Sequence, residues 1–251
     1  MTTLRAWLER GPFGLGMSSG FFGFFAHAGF LSVLEEEGFV PSRLGGSSAG
    51  ALVTGCFASG LEVSAIAETF LSLQRTDFWD PAPGFGLLRG RLFRRQLEQT
   101  LPVQRIEDCP LPLAVSTYDV VSRRTRVYDR GNLAAAIHAS CALPGFFQPV
   151  WIHGRPHLDG GIADRPGLEA LPENERVLYH HLASRSPWRR RDSPSLKVPH
   201  RKGLKSVVIE GLPRVNPFRL ERGMTAFEAS RRAAQRALDL PFDGDVVRLA
   251  A

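Results

Sequence analysis

The segment GGSSAG at residues 45–50 constrains the fold more than any other part of this 251-residue chain. Two serines stand among glycines, after a short strand-like stretch and before the helical sequence ALVTGCFA. Glycines two positions before and two positions after a serine let the backbone turn sharply from a strand into a helix, with the hydroxyl at the apex. The segment therefore predicts an α/β fold, with a nucleophilic serine as one interpretation and a plain glycine-rich turn as the other.

The glycine frame distinguishes the two serines. Ser48 has Gly46 two positions before it and Gly50 two positions after it, whereas the same frame around Ser47 ends in an alanine. The amides at the start of the following helix would surround a negative charge that develops on a bound carbonyl oxygen. Ser48 is therefore the candidate nucleophile.

Strand-like and helical patterns alternate along the rest of the chain. Helices are predicted at 25–38, 51–60, 63–73, 132–143 and 224–239. Strands are predicted at 13–17, 42–45, 111–120, 124–129, 176–183 and 205–211, with two short ones within 149–161. This alternation predicts a three-layer α/β domain with a mostly parallel central sheet.

Length and composition are those of one globular domain over residues 1–251. No apolar run approaches the ~18 residues of a membrane span, and the start of the chain lacks the pattern of a secretory signal. Three widely spaced cysteines do not form a disulfide framework, and metal-ligand spacing is missing. We therefore expect a cytoplasmic protein, peripheral at a membrane surface at most, with no metal and no cofactor.

Positive charge is concentrated near the C-terminal part of the chain. The net charge is +6, and residues 185–205 hold eight Lys or Arg against one Asp. One interpretation is a solvated loop, and the other is a contact with an anionic membrane surface, anchored by Trp188. No nucleic-acid-binding motif accompanies the charge, so no nucleic acid partner is expected. The oligomeric state has no signal in the sequence.

A serine nucleophile needs a base, and the histidines do not single one out. Five of them could follow the acid in a Ser-His-Asp hydrolase: His153, His157, His180, His181 and His200. Asp159 in HLDGG offers an alternative, because a carboxylate beside a serine can take its proton directly. An ordinary aspartate, with a pKa near ~3.9, is a weak base unless burial raises that value. A tight turn without chemistry is the simpler interpretation of this segment alone.

Three separated motifs together resemble the patatin-like phospholipases over about residues 12–170. They are SSGFFGFFAHAGFLSVLEEEG, GSSAGALVTGCFASG and AIHASCALPGFFQPVWIHGRPHLDGG, in the family's order. The resemblance implies the patatin three-layer α/β/α sandwich, with a C-terminal part over 171–251 that holds the basic loop and a closing helix. It also implies Ser48 as nucleophile and Asp159 as base, followed by the motif glycines Gly160 and Gly161.

The oxyanion loop departs from the family pattern. The family usually has GGGxRG or GGGxKG, whereas this chain has SSGFFG at residues 18–23, ending in the motif glycine Gly23. The resemblance implies an oxyanion hole at Ser19, Gly20 and Phe21. Serine is compatible with this role where φ stays negative, but Phe22 removes the usual cation. We therefore expect activity that is weaker or narrower than usual.

The resemblance implies a phospholipase A-like acyl hydrolase whose partner is a lipid or acyl-ester substrate. A soluble esterase or thioesterase for small acyl groups is one alternative, and a catalytically weak lipid-binding protein is another. Phenylalanines crowd the oxyanion loop and its helix: Phe21, Phe22, Phe24, Phe25 and Phe30. The helical ones are expected in the core, and those in the loop are expected to line an acyl channel or touch lipid.

Overall fold

A computed structural model describes residues 2–183, 193 and 196–251 of the chain. The helices are α1 (Leu4–Leu8), α2 (Phe24–Glu36), α3 (Ala49–Ala58), α4 (Val63–Leu71), α5 (Arg91–Thr100), α6 (Leu133–Ser140) and α7 (Gly223–Asp239). The strands are β1 (Thr2–Thr3), β2 (Gly14–Met17), β3 (Arg43–Ser47), β4 (Gly86–Leu88), β5 (Leu113–Asp119), β6 (Arg124–Tyr128), β7 (Gly145–Phe147), β8 (Val150–Ile152), β9 (Arg155–Asp159), β10 (Val177–Leu182), β11 (Leu204–Glu210), β12 (Pro241–Phe242) and β13 (Val246–Ala250). Of the basic segment at residues 185–205 that was predicted to contact membranes, residues 185–192, 194 and 195, including Trp188, lie outside the described residues.

The central sheet confirms the predicted α/β fold with mostly parallel strands. Its strand order is β13-β11-β10-β2-β3-β5-β9-β8, and β6 also pairs with β5. The six strands from β13 to β5 run parallel, whereas β6 and β9 are antiparallel to β5 and β8 is antiparallel to β9. The carboxyl ends of the parallel strands therefore share one edge of the sheet.

The two faces of the sheet are covered differently. In β2, Leu15 and Met17 face a core that the helices supply, and because side chains alternate, Gly16 faces the other side. There the side chains of Leu168 and Leu171 lie close to its Cα. The Asp164 carboxylate, which accepts the amides of residues 167–169, shapes the turn that carries these leucines. Because both faces of the sheet are covered, every residue of β2 and β10 is buried.

Helices α2 and α7 cross with their backbones in close contact. A Cβ placed on Gly29 would lie 2.2 Å from the Phe227 carbonyl oxygen. At the same crossing, the Ser230 hydroxyl donates a hydrogen bond of 2.7 Å to the Ala26 carbonyl. The crossing matters for the candidate site because α2 begins directly after the loop at residues 18–23.

Among the described residues, no helix combines the length and the apolar composition that crossing a bilayer requires.

Gly29→Ala should destabilise the protein by about 1–3 kcal/mol, because its methyl group must push α2 away from α7. Glycine-to-alanine changes inside helices ordinarily stabilise by roughly 0.5–1 kcal/mol. The sign of the change in unfolding free energy, measured by urea denaturation, is therefore the test. A more stable Gly29→Ala protein would contradict the close crossing.

Candidate active site

Ser48 lies between the last residue of β3 and the first residue of α3. Its φ of 53° and ψ of −119° form a conformation that side-chain-bearing residues rarely adopt and that stores strain. The turn is possible because Gly50 packs on the neighbouring strand, where a Cβ would lie 2.1 Å from the Met17 carbonyl oxygen. Gly46 is equally confined, with a Cβ position 2.6 Å from the Gly50 carbonyl carbon. Both motif glycines are therefore needed for the turn.

The structure brings Ser48 and Asp159 together. The Ser48 hydroxyl donates to Asp159 Oδ2 over 2.6 Å, within the range of hydrogen bonds between hydroxyls and carboxylates. Asp159 is the last residue of β9 and is 4% exposed. Its Oδ1 accepts the Gly161 amide at 2.7 Å, which fixes the carboxylate's rotation. The two residues are 111 positions apart in the chain.

Ser140, the last residue of α6, and Cys141, which follows it, form hydrogen bonds with the backbone of Ser48. The Ser48 amide donates to Ser140 Oγ at 2.8 Å, and that hydroxyl donates to the Ser116 carbonyl at 2.6 Å. The Cys141 thiol donates to the Ser48 carbonyl at 3.3 Å. Burial raises the pKa of Cys141 well above its usual range, so the thiol keeps its proton and remains a donor. Sequence reasoning did not identify Ser140 or Cys141, although both fall inside the third family-like motif.

Ser47 has a different environment from its neighbour. It is fully buried, and within the described residues its hydroxyl oxygen has no hydrogen-bond partner. Ser48 is half-buried and lines a cavity. The geometry therefore separates the two serines in the same way as the glycine frame did.

The loop at residues 18–23 is held by hydrogen bonds to two other segments. The Ser19 amide donates to the Arg165 carbonyl at 2.8 Å, and Ser18 Oγ accepts the Leu182 amide at 2.9 Å. Arg165 Nη2 in turn donates to the Leu182 carbonyl at 2.7 Å. We call Ser18, Ser19, Arg165 and Leu182 the loop brace. It gives the Ser19 amide an intramolecular partner, which argues against this amide as an oxyanion donor.

The serines are accommodated in this loop without backbone strain. Neither Ser18 nor Ser19 has a positive φ, whereas Phe22 does, at 52°. Gly20 and Gly23 both pack against the Leu182 side chain. The replacement of two family glycines by serines therefore leaves the backbone of these two positions in an ordinary conformation.

A buried pair of histidines supports the same loop from α2 and β10. His27 Nε2 lies 2.8 Å from the Ser18 carbonyl and must donate to it, so its Nδ1 accepts from His180 Nδ1 at 2.9 Å. Burial lowers the pKa of His27 to about 4 and that of His180 well below its usual range, so both rings are neutral at pH 7. These histidines thus position the loop. Two other histidines considered as bases form hydrogen bonds with tyrosines, His157 with Tyr128 and His181 with Tyr179.

An apolar cavity of about 470 Å³ opens beside Ser48 and Asp159. Ser48, which precedes α3, and Leu52 and Cys56 within it form part of its wall; they are four positions apart and so lie on one side of the helix. The aromatic lining consists of Phe21, Phe22, Phe24, Phe70, Phe78, Phe93, Phe146 and Phe147. Phe25 and Phe30, by contrast, are buried in the core. The site therefore joins a serine–carboxylate pair to a pocket suited to a hydrocarbon chain.

Comparison with known proteins points to one family. The sequence model of that family, described as patatin-like phospholipase, matches residues 15–172. An uncharacterized NTE family protein of Mycobacterium tuberculosis is 34% identical over 154 residues, which is 60% of this chain and 42% of that protein. Neuropathy target esterase of Drosophila persimilis is 27% identical over 176 residues, which is 65% of this chain and 12% of that protein. The chain thus spans less than half the length of these relatives.

The crystal structure of VipD from Legionella pneumophila resembles this fold. Its TM-score is 0.57 at 14% sequence identity, with 95% of this chain and 61% of that chain covered. At this identity, the likeness concerns the fold alone.

The His27–His180 pair should make stability depend on pH. An unfolded histidine binds its proton near ~6.5, whereas folded His27 does so only near about 4. Between these values the unfolded state binds more protons, so stability falls as pH falls through this window, by at most ~1.4 kcal/mol per pH unit for one histidine. The low pKa values of His138 and His181, each about 3, act in the same direction.

His27→Gln should reduce this slope by the share of one histidine, because the amide can still donate to Ser18 and accept from His180 but cannot titrate. Urea unfolding of the wild type and His27→Gln at pH 6.5 and pH 4.5 measures the difference. Equal slopes for the two proteins would show that His27 does not resist protonation.

Proposed function

The chain belongs to the patatin-like phospholipase family, and from this premise we propose that it hydrolyses acyl ester bonds of lipids through an acyl-enzyme on Ser48. Asp159 is the base in this proposal. The observation that carries it is the 2.6 Å hydrogen bond from Ser48 Oγ to Asp159 Oδ2, two residues that line an apolar cavity. A carboxylate that already accepts the hydroxyl hydrogen bond needs no histidine to relay the proton.

In the first half-reaction, Ser48 Oγ attacks the ester carbonyl carbon while its proton moves to Asp159 Oδ2. The carbonyl oxygen becomes an oxyanion. When the tetrahedral intermediate collapses, the bond to the alcohol breaks and the departing oxygen takes the proton from Asp159. The fatty acyl group is then an ester of Ser48. The Gly161 amide keeps the carboxylate oriented through Oδ1 during both proton transfers.

In the second half-reaction, water attacks the acyl-enzyme and gives its proton to Asp159. Collapse returns that proton to Ser48 Oγ and releases the fatty acid. Because an aspartate is a weak base near neutral pH, much of the rate must come from stabilisation of the oxyanion. We assign this role to the amides of Gly20 and Phe21, both of which line the cavity with Ser48. Ala49, the first residue of α3, also lines the cavity, and its amide is a third candidate.

The acyl chain of the substrate fits the cavity by its chemistry. Each methylene that leaves water for an apolar wall contributes roughly 0.8 kcal/mol of binding free energy. Leu52, Phe70 and Leu97 supply such a wall between the helices. A long acyl group thereby gains affinity that a small polar ester does not, which favours lipids over the soluble esters of the alternative proposal.

Because the oxyanion loop is altered, we keep one alternative proposal, a lipid-binding protein that hydrolyses its ligand only slowly. A fluorophosphonate probe separates the two, because it reacts only with an activated serine. Labelling of the wild type that disappears in Ser48→Ala supports the hydrolase. A wild type that binds fatty acid but is not labelled would instead support the binding protein.

Ser48→Ala should lower hydrolysis of a nitrophenyl ester by about a thousandfold or more, and Asp159→Asn by at least about 100-fold, because the amide cannot accept the proton. Ser47→Ala is the matched control. Its hydroxyl is buried without a partner in the described residues, so its loss should leave kcat within a few-fold of wild type. Equal rates for wild type and Ser48→Ala would refute the mechanism.

A further inference from the structure

A path of aromatic rings connects the cavity to the surface. Phe146 lines the cavity, and its ring centroid lies 5.8 Å from that of Phe21. Trp79 follows at 6.3 Å from Phe146, and Phe218 at 5.6 Å from Trp79. Phe218 is 67% exposed. A series of neighbouring aromatic rings therefore leads from the cavity to the exposed Phe218.

A second group of exposed apolar side chains adjoins this path. Strand β4 pairs with β7 in a register that puts Leu87 level with Phe146, and residues level with each other in a sheet project on the same face. Leu87 is 48% exposed, and Phe85, one residue before β4, is 90% exposed. We call Phe85, Leu87 and Phe218 the apolar rim of the cavity. Exposed groups of this kind mark interaction sites.

Positive charge accompanies the apolar rim. The Arg75 guanidinium carbon lies 5.5 Å from the Trp79 ring and 5.4 Å from the Phe218 ring. The two segments that carry the rim and Arg75, residues 75–91 and 218–222, hold five arginines against three acidic residues. One of those acids, Asp80, is occupied by backbone amides at the start of α5. The surface around the rim therefore favours a partner with negative charge.

We propose that the apolar rim is a docking surface for an anionic lipid bilayer. Aromatic side chains beside arginines suit the boundary between headgroups and acyl chains, where the rings enter the apolar layer and the guanidinium groups meet phosphates. A bilayer fits better than a second copy of this chain, because two such surfaces would bring their arginines together. Docking to a bilayer does not require turnover. That docking delivers an acyl chain past Phe146 to Ser48, however, rests on the proposed function.

Vesicle co-sedimentation tests the docking surface. The parent is Ser48→Ala, so that no lipid is consumed, and the vesicles are phosphatidylcholine alone or phosphatidylcholine with phosphatidylserine. We expect the parent to bind the anionic vesicles, and Phe85→Ser and Phe218→Ser in this background each to weaken binding about tenfold. Val40→Ser is the matched control. Val40 is 64% exposed and precedes the amino end of β3, whereas Ser48 follows its carboxyl end.

The results that would overturn the proposal are distinct. It fails if the parent does not bind anionic vesicles, or if the rim variants bind as tightly as the parent. The latter result would also assign binding to another part of the chain, such as the basic segment that every variant retains. It fails equally if the rim variants convert a dimer into a monomer in sedimentation.

Short nitrophenyl ester turnover, measured with Ser48 present, separates this proposal from the proposed function. Phe85→Ser and Phe218→Ser should keep wild-type rates on this soluble substrate, which also shows that they fold. A wild type that binds vesicles through the rim but does not hydrolyse the ester would remove the proposed function and leave the docking surface.

Discussion

The meeting of an antiparallel strand with the carboxyl edge of a parallel sheet is the constraint on which the candidate site depends. Strand β3 ends at the strained turn of Ser48, and β9 approaches β5 from the opposite direction. Ser47 of β3 pairs with Ser116 of β5, and Asp159 of β9 pairs with Thr117, the next residue of β5. The Asp159 side chain therefore lies beside Ser48. The 2.6 Å hydrogen bond to Asp159 follows from this register. A shift of one residue would turn the carboxylate to the other face of the sheet.

The same edge shows how a chain without the family's usual glycines can keep its loop in place. The Ser18 hydroxyl and Ser19 amide bond to Leu182 and Arg165, and His27 donates to the Ser18 carbonyl. Buried polar groups are costly when unpaired, so these partners hold the loop in one arrangement. The brace also removes one amide from the three that the family resemblance suggested for the oxyanion. Weaker or narrower catalysis is the expected consequence.

The serine–carboxylate pair and the apolar cavity occupy different layers of the molecule. The polar groups lie at the strand ends, where loops can be shaped by hydrogen bonds, whereas the cavity lies among helices whose apolar faces already form the core. Helix α3 joins the two regions, since Ser48 precedes its first residue and Leu52 and Cys56 line the cavity further along. The rings from Phe21 to Phe218 extend that apolar region outward to a surface rich in arginine.

The sequence by itself determined the elements with strong local patterns: the glycine-framed turn at Ser48, the alternating strands and helices, and the amphipathic closing helix. It did not indicate α5, because that helix is rich in arginine and buries only Leu97. The HLDGG segment offered Asp159 as one candidate base, and the family resemblance implied that it is the base. Only the tertiary structure decided the His27–His180 pair, 153 residues apart, and the series of rings from Phe21 to Phe218. Backbone turns and hydrophobic periodicity depend on residues that are close in the sequence, whereas such contacts depend on how distant segments pack together.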